Sequence, residues 1–453
     1  MPVSFLGLVL DRAGGRQLAV HFWSCDYIRS WKHRDGNLKA IQPVADRTKS
    51  LTVHITGPNS YWERIYLLDL FAIPHQNLET LDFSFNAFYA SSPRSYQAPL
   101  ASLYRPDVSD AKETIIAQLF TLIPVGQLKH LTLRQMKGWP PTRFGNLTDL
   151  TLFGYADGTA LAEAVPANPA LRKLKLESIK DEERYSWDSS RLVHLDGQTL
   201  ELVRCDSAVL GMFSLSSTCS LVITTTMTRT INWRGELLGR KWLPRDISTL
   251  RCLHELEEVH SSITKIPRRR GWFAVEQKTV GHSTSKSTPG TRSEPSLVFT
   301  LKYFYKREAY AVRLLPQCLL PNPIPWARVT HVSLDGFHDQ SGIDGNATLR
   351  TLSNARSLLL RRCGRGIVPL ITPRELRSLE SLRFEDDLSG TDLGGALLTA
   401  LESRHLSSGL RLKDLIIVKS GGLSTITVEQ IAKLKELVDH IEVTTPGYRS
   451  VPV

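Results

Sequence analysis

The sequence predicts an α/β fold assembled from short strand-and-helix units laid side by side, and three observations predict it. The first is a recurring phrase, Leu-x-x-Leu-x-Leu or an apolar equivalent. It stands at Leu128-Lys-His-Leu131-Thr-Leu133, Leu147-Thr-Asp-Leu150-Thr-Leu152 and Leu171-Arg-Lys-Leu174-Lys-Leu176. It returns at Val329-Thr-His-Val332-Ser-Leu334, Leu379-Glu-Ser-Leu382-Arg-Phe384 and Leu412-Lys-Asp-Leu415-Ile-Ile417, with looser copies at Leu78-Glu-Thr-Leu81-Asp-Phe83 and Ala355-Arg-Ser-Leu358-Leu-Leu360. The second is spacing: from Leu128 the phrases begin 19 and then 24 residues apart. The third is the presence of helical patterns and turn residues between them. Alternation puts the last leucines of the phrase on one face of a strand. One such unit cannot bury that face alone, so neighbours must stack and share a core. The expected architecture is therefore an irregular leucine-rich-repeat solenoid, a horseshoe with strands on its concave wall, carrying a central basic insertion.

The N-terminal leucine-rich-repeat block spans 1–228. Ser4 to Arg12 reads as a short helix stopped by Gly14-Gly15. Gln17 to Phe22 and Leu51 to Ile55 alternate as strands. Trp62 to Ile73 places Ile65, Leu68 and Phe71 on one helical stripe, widened by Leu67 and Leu70. Asp110-Ala-Lys-Glu113 opens a helix from Ala111 to Ile123, ended by Pro124 and Gly126. A fourth unit uses Leu195 or Leu200-Glu-Leu202, and a fifth uses Leu221-Val-Ile-Thr-Thr. The asparagine that usually follows such strands is mostly missing, which predicts irregular turns rather than a regular ladder.

The basic insertion spans 229–327, where 17 Lys and Arg face 8 Asp and Glu, a net +9 out of +11 for the whole chain. Gly281 to Ser296 contains only small, polar and turn-forming residues and reads as a mobile loop. The β-prone runs on either side, from Trp272 and from Leu297, are expected to pair as a long-looped hairpin. Pro316, Pro321, Pro323 and Pro325 lead back to the C-terminal repeat block, 328–453. There Thr372-Pro373-Arg-Glu375 starts a helix with proline at its first position. Thr427-Val-Glu-Gln430 opens the final helix, with Ile431, Leu434 and Val438 facing inward, and Ile441-Glu-Val443 forms the last strand.

Composition narrows the function classes. A 42% hydrophobic and 22% charged chain is that of a globular protein. No run of eighteen apolar residues exists, so no membrane partner is expected. The start, Phe5 to Leu10, lacks a basic leader and does not read as a signal peptide. Six cysteines lie scattered with no C-x-x-C pair, which points to reduced thiols and a cytoplasmic or nuclear setting. In that setting the triplets Asn146-Leu-Thr148 and Asn346-Ala-Thr348 are chance matches to a glycosylation signal.

The motifs of chemistry are not found: no GxSxG elbow, no P-loop, no HExxH, and no GxGxxG between a strand and a helix. Asp386-Asp387 reads as exposed carboxylates in a turn, and the thirteen dispersed histidines do not read as metal ligands. Cys363 sits beside Arg361, Arg362 and Arg365, and nearby cations lower a thiol pKa, but no histidine accompanies it in sequence. No enzyme activity and no cofactor are expected. Arg268, Arg269 and Arg270 with Trp272 form a basic patch with aromatic support, an alternative surface for nucleic acid or an acidic partner.

The residues alternating with the leucines should line the partner-binding face. They are His130, Thr132 and Arg134; Asp149, Thr151 and Phe153; Lys173, Lys175 and Glu177; His331, Ser333 and Asp335; and Ser381, Arg383 and Glu385. Their mixed charge favours a protein target over a polyanion.

Phe5 to Phe22, Arg47 to Ile55, the middle repeats and the closing Ile426 to Val438 resemble the F-box/leucine-rich-repeat proteins abundant in mushroom-forming fungi. That resemblance implies substrate recognition in a cullin–RING ubiquitin ligase, with the F-box docking the adaptor and the repeats holding the target. The F-box itself is not found. Leu243-Pro-Arg-Asp-Ile247 echoes its opening phrase, but mid-chain and without the helices that should follow. Either the chain begins downstream of the box, and an adaptor binds only through a box upstream, or ligase coupling is lost and the chain only binds.

Overall fold

The recurring phrase forms strands because its apolar residues fall at every second position, which lines one face of a strand, and have a shared core to enter. The computed structural model describes residues 12–25, 42–56, 75–86, 126–134, 144–154, 156–179, 185–186, 192–205, 207–227, 248–267, 273–283, 295–305, 326–337, 352–363, 368, 371, 376–385, 393–418 and 426–444. The helices expected at 4–12, 62–73, 111–123 and from Thr372 lie outside these residues, apart from Arg12. The fold is α/β, with a mostly parallel sheet architecture of sixteen strands and few helices among the described residues. The chain divides into two compact units, Met1–Ser214 and Leu215–Val453.

In the N-terminal unit seven strands pair in parallel and in chain order: β1 (Leu18–Cys25), β2 (Thr48–Thr56), β3 (Thr80–Asn86), β4 (His130–Arg134), β5 (Asp149–Phe153), β6 (Lys173–Glu177) and β7 (Thr199–Val203). From β2 to β7 the register aligns Leu51, Leu81, Leu131, Leu150, Leu174 and Leu200 in one row. Val53, Phe83, Leu133, Leu152, Leu176 and Leu202 form the next. Every member of both rows is buried. A one-residue slip would turn both rows to solvent, so the apolar period fixes the register. Of the two candidates for the fourth unit, Leu200-Glu-Leu202 is the one paired with β6. Helix α1 (Gly158–Ala167) packs Leu161, Ala164 and Val165 into the unit's interior. Beyond it, Asn168 Nδ2 donates to the Ala164 carbonyl at 2.7 Å, and Oδ1 accepts from the Phe144 amide at 2.7 Å.

In the C-terminal unit the strand order is β8 (Ser220–Met227), β11 (Leu297–Tyr305), β10 (Phe273–His282), β9 (Glu258–Pro267), β12 (His331–Asp335), β13 (Ser357–Arg361), β14 (Ser381–Glu385), β15 (Leu412–Val418) and β16 (Val438–Thr444). The expected hairpin is present: β10 and β11 run antiparallel, with Phe273 opposite Tyr305. β9 is antiparallel to β10 on its other side and parallel to β12, so these strands of the basic segment are members of the sheet. Inside it, Ser261 and Thr279 are buried and their hydroxyls meet at 3.0 Å, since a hydroxyl placed where leucine stands elsewhere must find a partner. The span read as a loop is structured at both ends. Gly281 and His282 belong to β10, and the buried Ser296 donates its amide to the Gly281 carbonyl at 2.9 Å. Residues 284–294 lie outside the described residues.

Two helices follow, α2 (Leu393–Ser408) and α3 (Val428–Leu437); α2 packs against α3, and α3 against β16. α3 opens where expected, and does so with a capping box: the Gln430 amide donates to Thr427 Oγ1 at 3.1 Å, and the Thr427 amide donates to Gln430 Oε1 at 2.9 Å. Leu434 is fully buried and Ile431 half-buried, whereas Val438 opens β16 instead of closing the helix.

The turns after several strands are regular, contrary to the irregularity that the missing asparagine predicts. Gly154, Ser178, Arg204, Gly336 and Arg362 each directly follow a strand and have positive φ, from 48° to 77°. Four of them donate their amide to the last carbonyl of the next strand: Gly154 to Glu177, Ser178 to Val203, Gly336 to Arg361 and Arg362 to Glu385, at 2.8–3.0 Å. Cysteine supplies side-chain bonds at two of these turns. Cys205 Sγ donates toward the Leu176 carbonyl at 3.2 Å, and Cys363 Sγ toward the Leu334 carbonyl at 3.3 Å.

Candidate functional site

On each unit, the side of the strands opposite the leucine rows carries the residues singled out in the sequence. In the N-terminal unit the register sets His130, Asp149 and Lys173 side by side, then Thr132, Thr151 and Lys175, then Arg134, Phe153 and Glu177. His130 Nδ1 lies 2.9 Å from Asp149 Oδ2. Arg134 grips both oxygens of Asp82 on β3 at 3.0 Å, and its guanidinium stands 5.6 Å from the centre of the Phe153 ring. Lys173 meets Glu201 at 2.5 Å, and Lys175 meets Glu177 at 3.2 Å and Glu201 at 3.6 Å. Arg204 closes the set on Glu177. Burial pushes the Glu177 carboxyl upward, but Lys175 and Arg204 outweigh it and hold Glu177 below its ordinary value. The Asp82 hydrogen bond raises Arg134 further above its own.

In the C-terminal unit His331 is exposed, with Nδ1 2.9 Å from Thr330 Oγ1. Asp335 is placed differently from the other predicted residues. Its side chain is 8% exposed, and Arg362 holds both its oxygens, at 2.8 and 2.5 Å, so it serves the turn after β13 and does not face solvent. Arg383 Nε lies 2.7 Å from Glu385 Oε1, while Arg361 Nε donates to Oε2 at 2.8 Å. His260 Nδ1 lies 2.8 Å from Ser333 Oγ. Burial lowers the His260 pKa, against the opposing pull of Asp335.

The predicted residues thus fall into two sets, one on each unit. Arg268, Arg269, Arg270 and Trp272 lie outside the described residues, as do Asp386 and Asp387. Cys363 reverses the expectation for its thiol. It is buried, and burial pushes its pKa up to about 11 despite the neighbouring arginines.

Sequence reading missed the carboxylates that pair with the predicted cations, Asp82 and Glu201, and missed His260; it named Arg362 only as a cation beside Cys363 and not as the partner of Asp335. Asp82 and Glu201 were accessible, since both occupy the position between two inward residues, in Leu81-Asp-Phe83 and Leu200-Glu-Leu202. Arg204 and Arg362 follow their strands directly and reach back to the carboxylate ending the preceding strand, Glu177 and Asp335. That device requires knowing which strands are neighbours. Among the described residues no group of three or more His, Cys, Asp or Glu is arranged to hold a metal ion, and no helix is long and apolar enough to cross a membrane.

No protein-family model matches the chain, and no curated protein matches it.

Proposed function

We propose that the chain is a non-catalytic protein-interaction scaffold. In this reading it is an irregular leucine-rich-repeat solenoid whose strand faces hold a protein target, akin to the substrate-recognition part of an F-box-type ubiquitin ligase receptor. The observation that carries the reading is the row arrangement. Strands in common register place polar and charged side chains next to one another on one side, while paired leucine rows fill the other. A surface of this kind recognises a partner by shape and charge, and its salt-linked rows are held in place before binding.

The test is affinity purification from the native cell, comparing the unaltered chain with a variant carrying K173E, K175E and R383E. Reproducible protein partners lost from the variant support binding through the strand faces; partners retained by it refute that. Co-purification of the cullin adaptor would join the chain to a ligase, and partners without the adaptor would indicate a stand-alone binder.

A second reading, nucleic-acid or acidic-partner binding through 229–327, is favoured by the net +9 of that segment. It requires a steep fall of affinity with salt that R268Q/R269Q/R270Q removes. Deleting the segment is unsuitable, because three sheet strands would go with it.

A further inference from the structure

One stretch of the C-terminal strand face departs from the polar character found elsewhere. Leu359 of β13, Arg383 of β14 and Ile416 of β15 are register neighbours, and Arg361, Glu385 and Val418 form the next row. The three apolar side chains are only half-buried. Matching positions on β4, β5 and β6 carry Thr132, Thr151 and Lys175. The core does not require these apolar residues, because Leu358, Leu360, Leu382, Phe384, Leu415 and Ile417 already fill the opposite side.

The charges here are layered. Glu385 is 15% exposed, whereas the Arg361 and Arg383 above it are 40% and 46% exposed. The carboxylate lies beneath and guanidinium groups meet the solvent. Among the described residues Arg383 pairs with Glu385 alone, through Nε, which leaves its two Nη groups for a further acceptor. Glu442 stands beyond Ile416 in the same row. An incoming anion is therefore favoured on the Leu359 side of Arg383, nearer Arg361.

We infer that this patch seats a protein segment presenting an acidic side chain beside an apolar one, an inference that rests on reading the strand face as a binding surface. The carboxylate meets Arg383 while the apolar side chain covers Leu359 and Ile416. Covering them excludes water and strengthens the ion pair, the arrangement that makes buried arginines dominate interfaces.

The test is selection of a random peptide library displayed on phage against the immobilised full chain, followed by titration of synthetic versions of the enriched peptides. Enriched sequences should pair Asp or Glu with a neighbouring Leu, Ile, Met or Phe. R383A and L359S should each weaken them by about tenfold or more, with thermal unfolding of both variants unchanged. Peptides lacking the acidic–apolar pair, or no enrichment at all, overturn the inference. Peptides unaffected by R383A but lost with K173E/K175E overturn it while leaving the strand-face reading intact; peptides indifferent to both faces sink the two together. Preferential binding of a single-stranded oligonucleotide, competing with every peptide and weakening steeply with salt, would also overturn it.

Discussion

Arg404 offers the most exacting test of how the C-terminal unit is held together. It lies on α2 and is 1% exposed, yet among the described residues no acidic side chain pairs with it. Its guanidinium instead ties down the turn that leads into β14. Nη1 donates to the Leu376 carbonyl at 2.8 Å, and Nη2 donates to those of Leu379 at 3.0 Å and Arg377 at 3.2 Å. Replacing it with methionine keeps most of the stem's volume and removes every donor. The Leu379 carbonyl then loses a buried bond, costing about 1–3 kcal/mol. Among the described residues the Leu376 carbonyl then keeps only the longer 3.3 Å bond from the Leu379 amide, which costs about 1 kcal/mol more. Against this stands the gain from no longer burying a cation, visible in the lowered pKa of Arg404. Three charge-assisted bonds outweigh that gain, even though the buried Nε has no partner among the described residues, so we expect R404M to destabilise the unit by roughly 2–3 kcal/mol. R404A adds a cavity and should cost about 1–2 kcal/mol more, while R404K should fall between wild type and R404M. Two compact units need not unfold together, so a single denaturant midpoint is the wrong measure. Native-state hydrogen exchange of amides in 376–385, followed through urea, reports the affected region directly. R404M exchanging within about 0.5 kcal/mol of wild type would refute the carbonyl-clamp account.

Other predictions follow from individual contacts. Cys363, with its thiol at about 11, should be about one-thousandth thiolate at pH 8; mass-spectrometric mapping after native alkylation should find it unmodified, and rapid labelling would contradict its placement. Glu177 titrates below its ordinary value of 4.5 when folded, so it stabilises the N-terminal unit above that pH and loses its effect as pH falls through the folded value. The stability difference between wild type and E177Q in urea should accordingly be present at pH 7 and vanish at strongly acid pH; a gap that widens on acidification would be the wrong sign. At Arg362, with φ 48°, glycine relieves the left-handed backbone while losing the Asp335 pair, so R362G should be milder than R362A by about 1 kcal/mol in native-state hydrogen exchange of the β13 amides. A Cβ on Gly394 would collide with the Gln430 side chain, so G394A should open the α3 capping box at a cost of about 1 kcal/mol, seen as faster exchange of the Thr427 amide that Gln430 Oε1 accepts.

The sequence by itself determined the strands and their inner faces. Leucine at every second position has one way to hide its apolar surface, so the rows from Leu51 to Leu200 and from Val53 to Leu202 could be anticipated without coordinates. The same alternation determined which side chains turn the other way, and the capping pattern at Thr427 determined where α3 begins, because both are local regularities. Tertiary structure decided the pairings. Asp82 and Arg134 are 52 residues apart, and only the adjacency of β3 and β4 makes them partners. Lateral adjacency likewise buried Asp335 under Arg362 and placed Leu359 beside Arg383 and Ile416. It also reversed the reading of Cys363: sequence shows the cations flanking a thiol, while its pKa is governed by the desolvation that only packing reveals. Charge and burial depend on neighbours in space, and in a parallel sheet those neighbours lie a whole strand-and-crossover away along the chain.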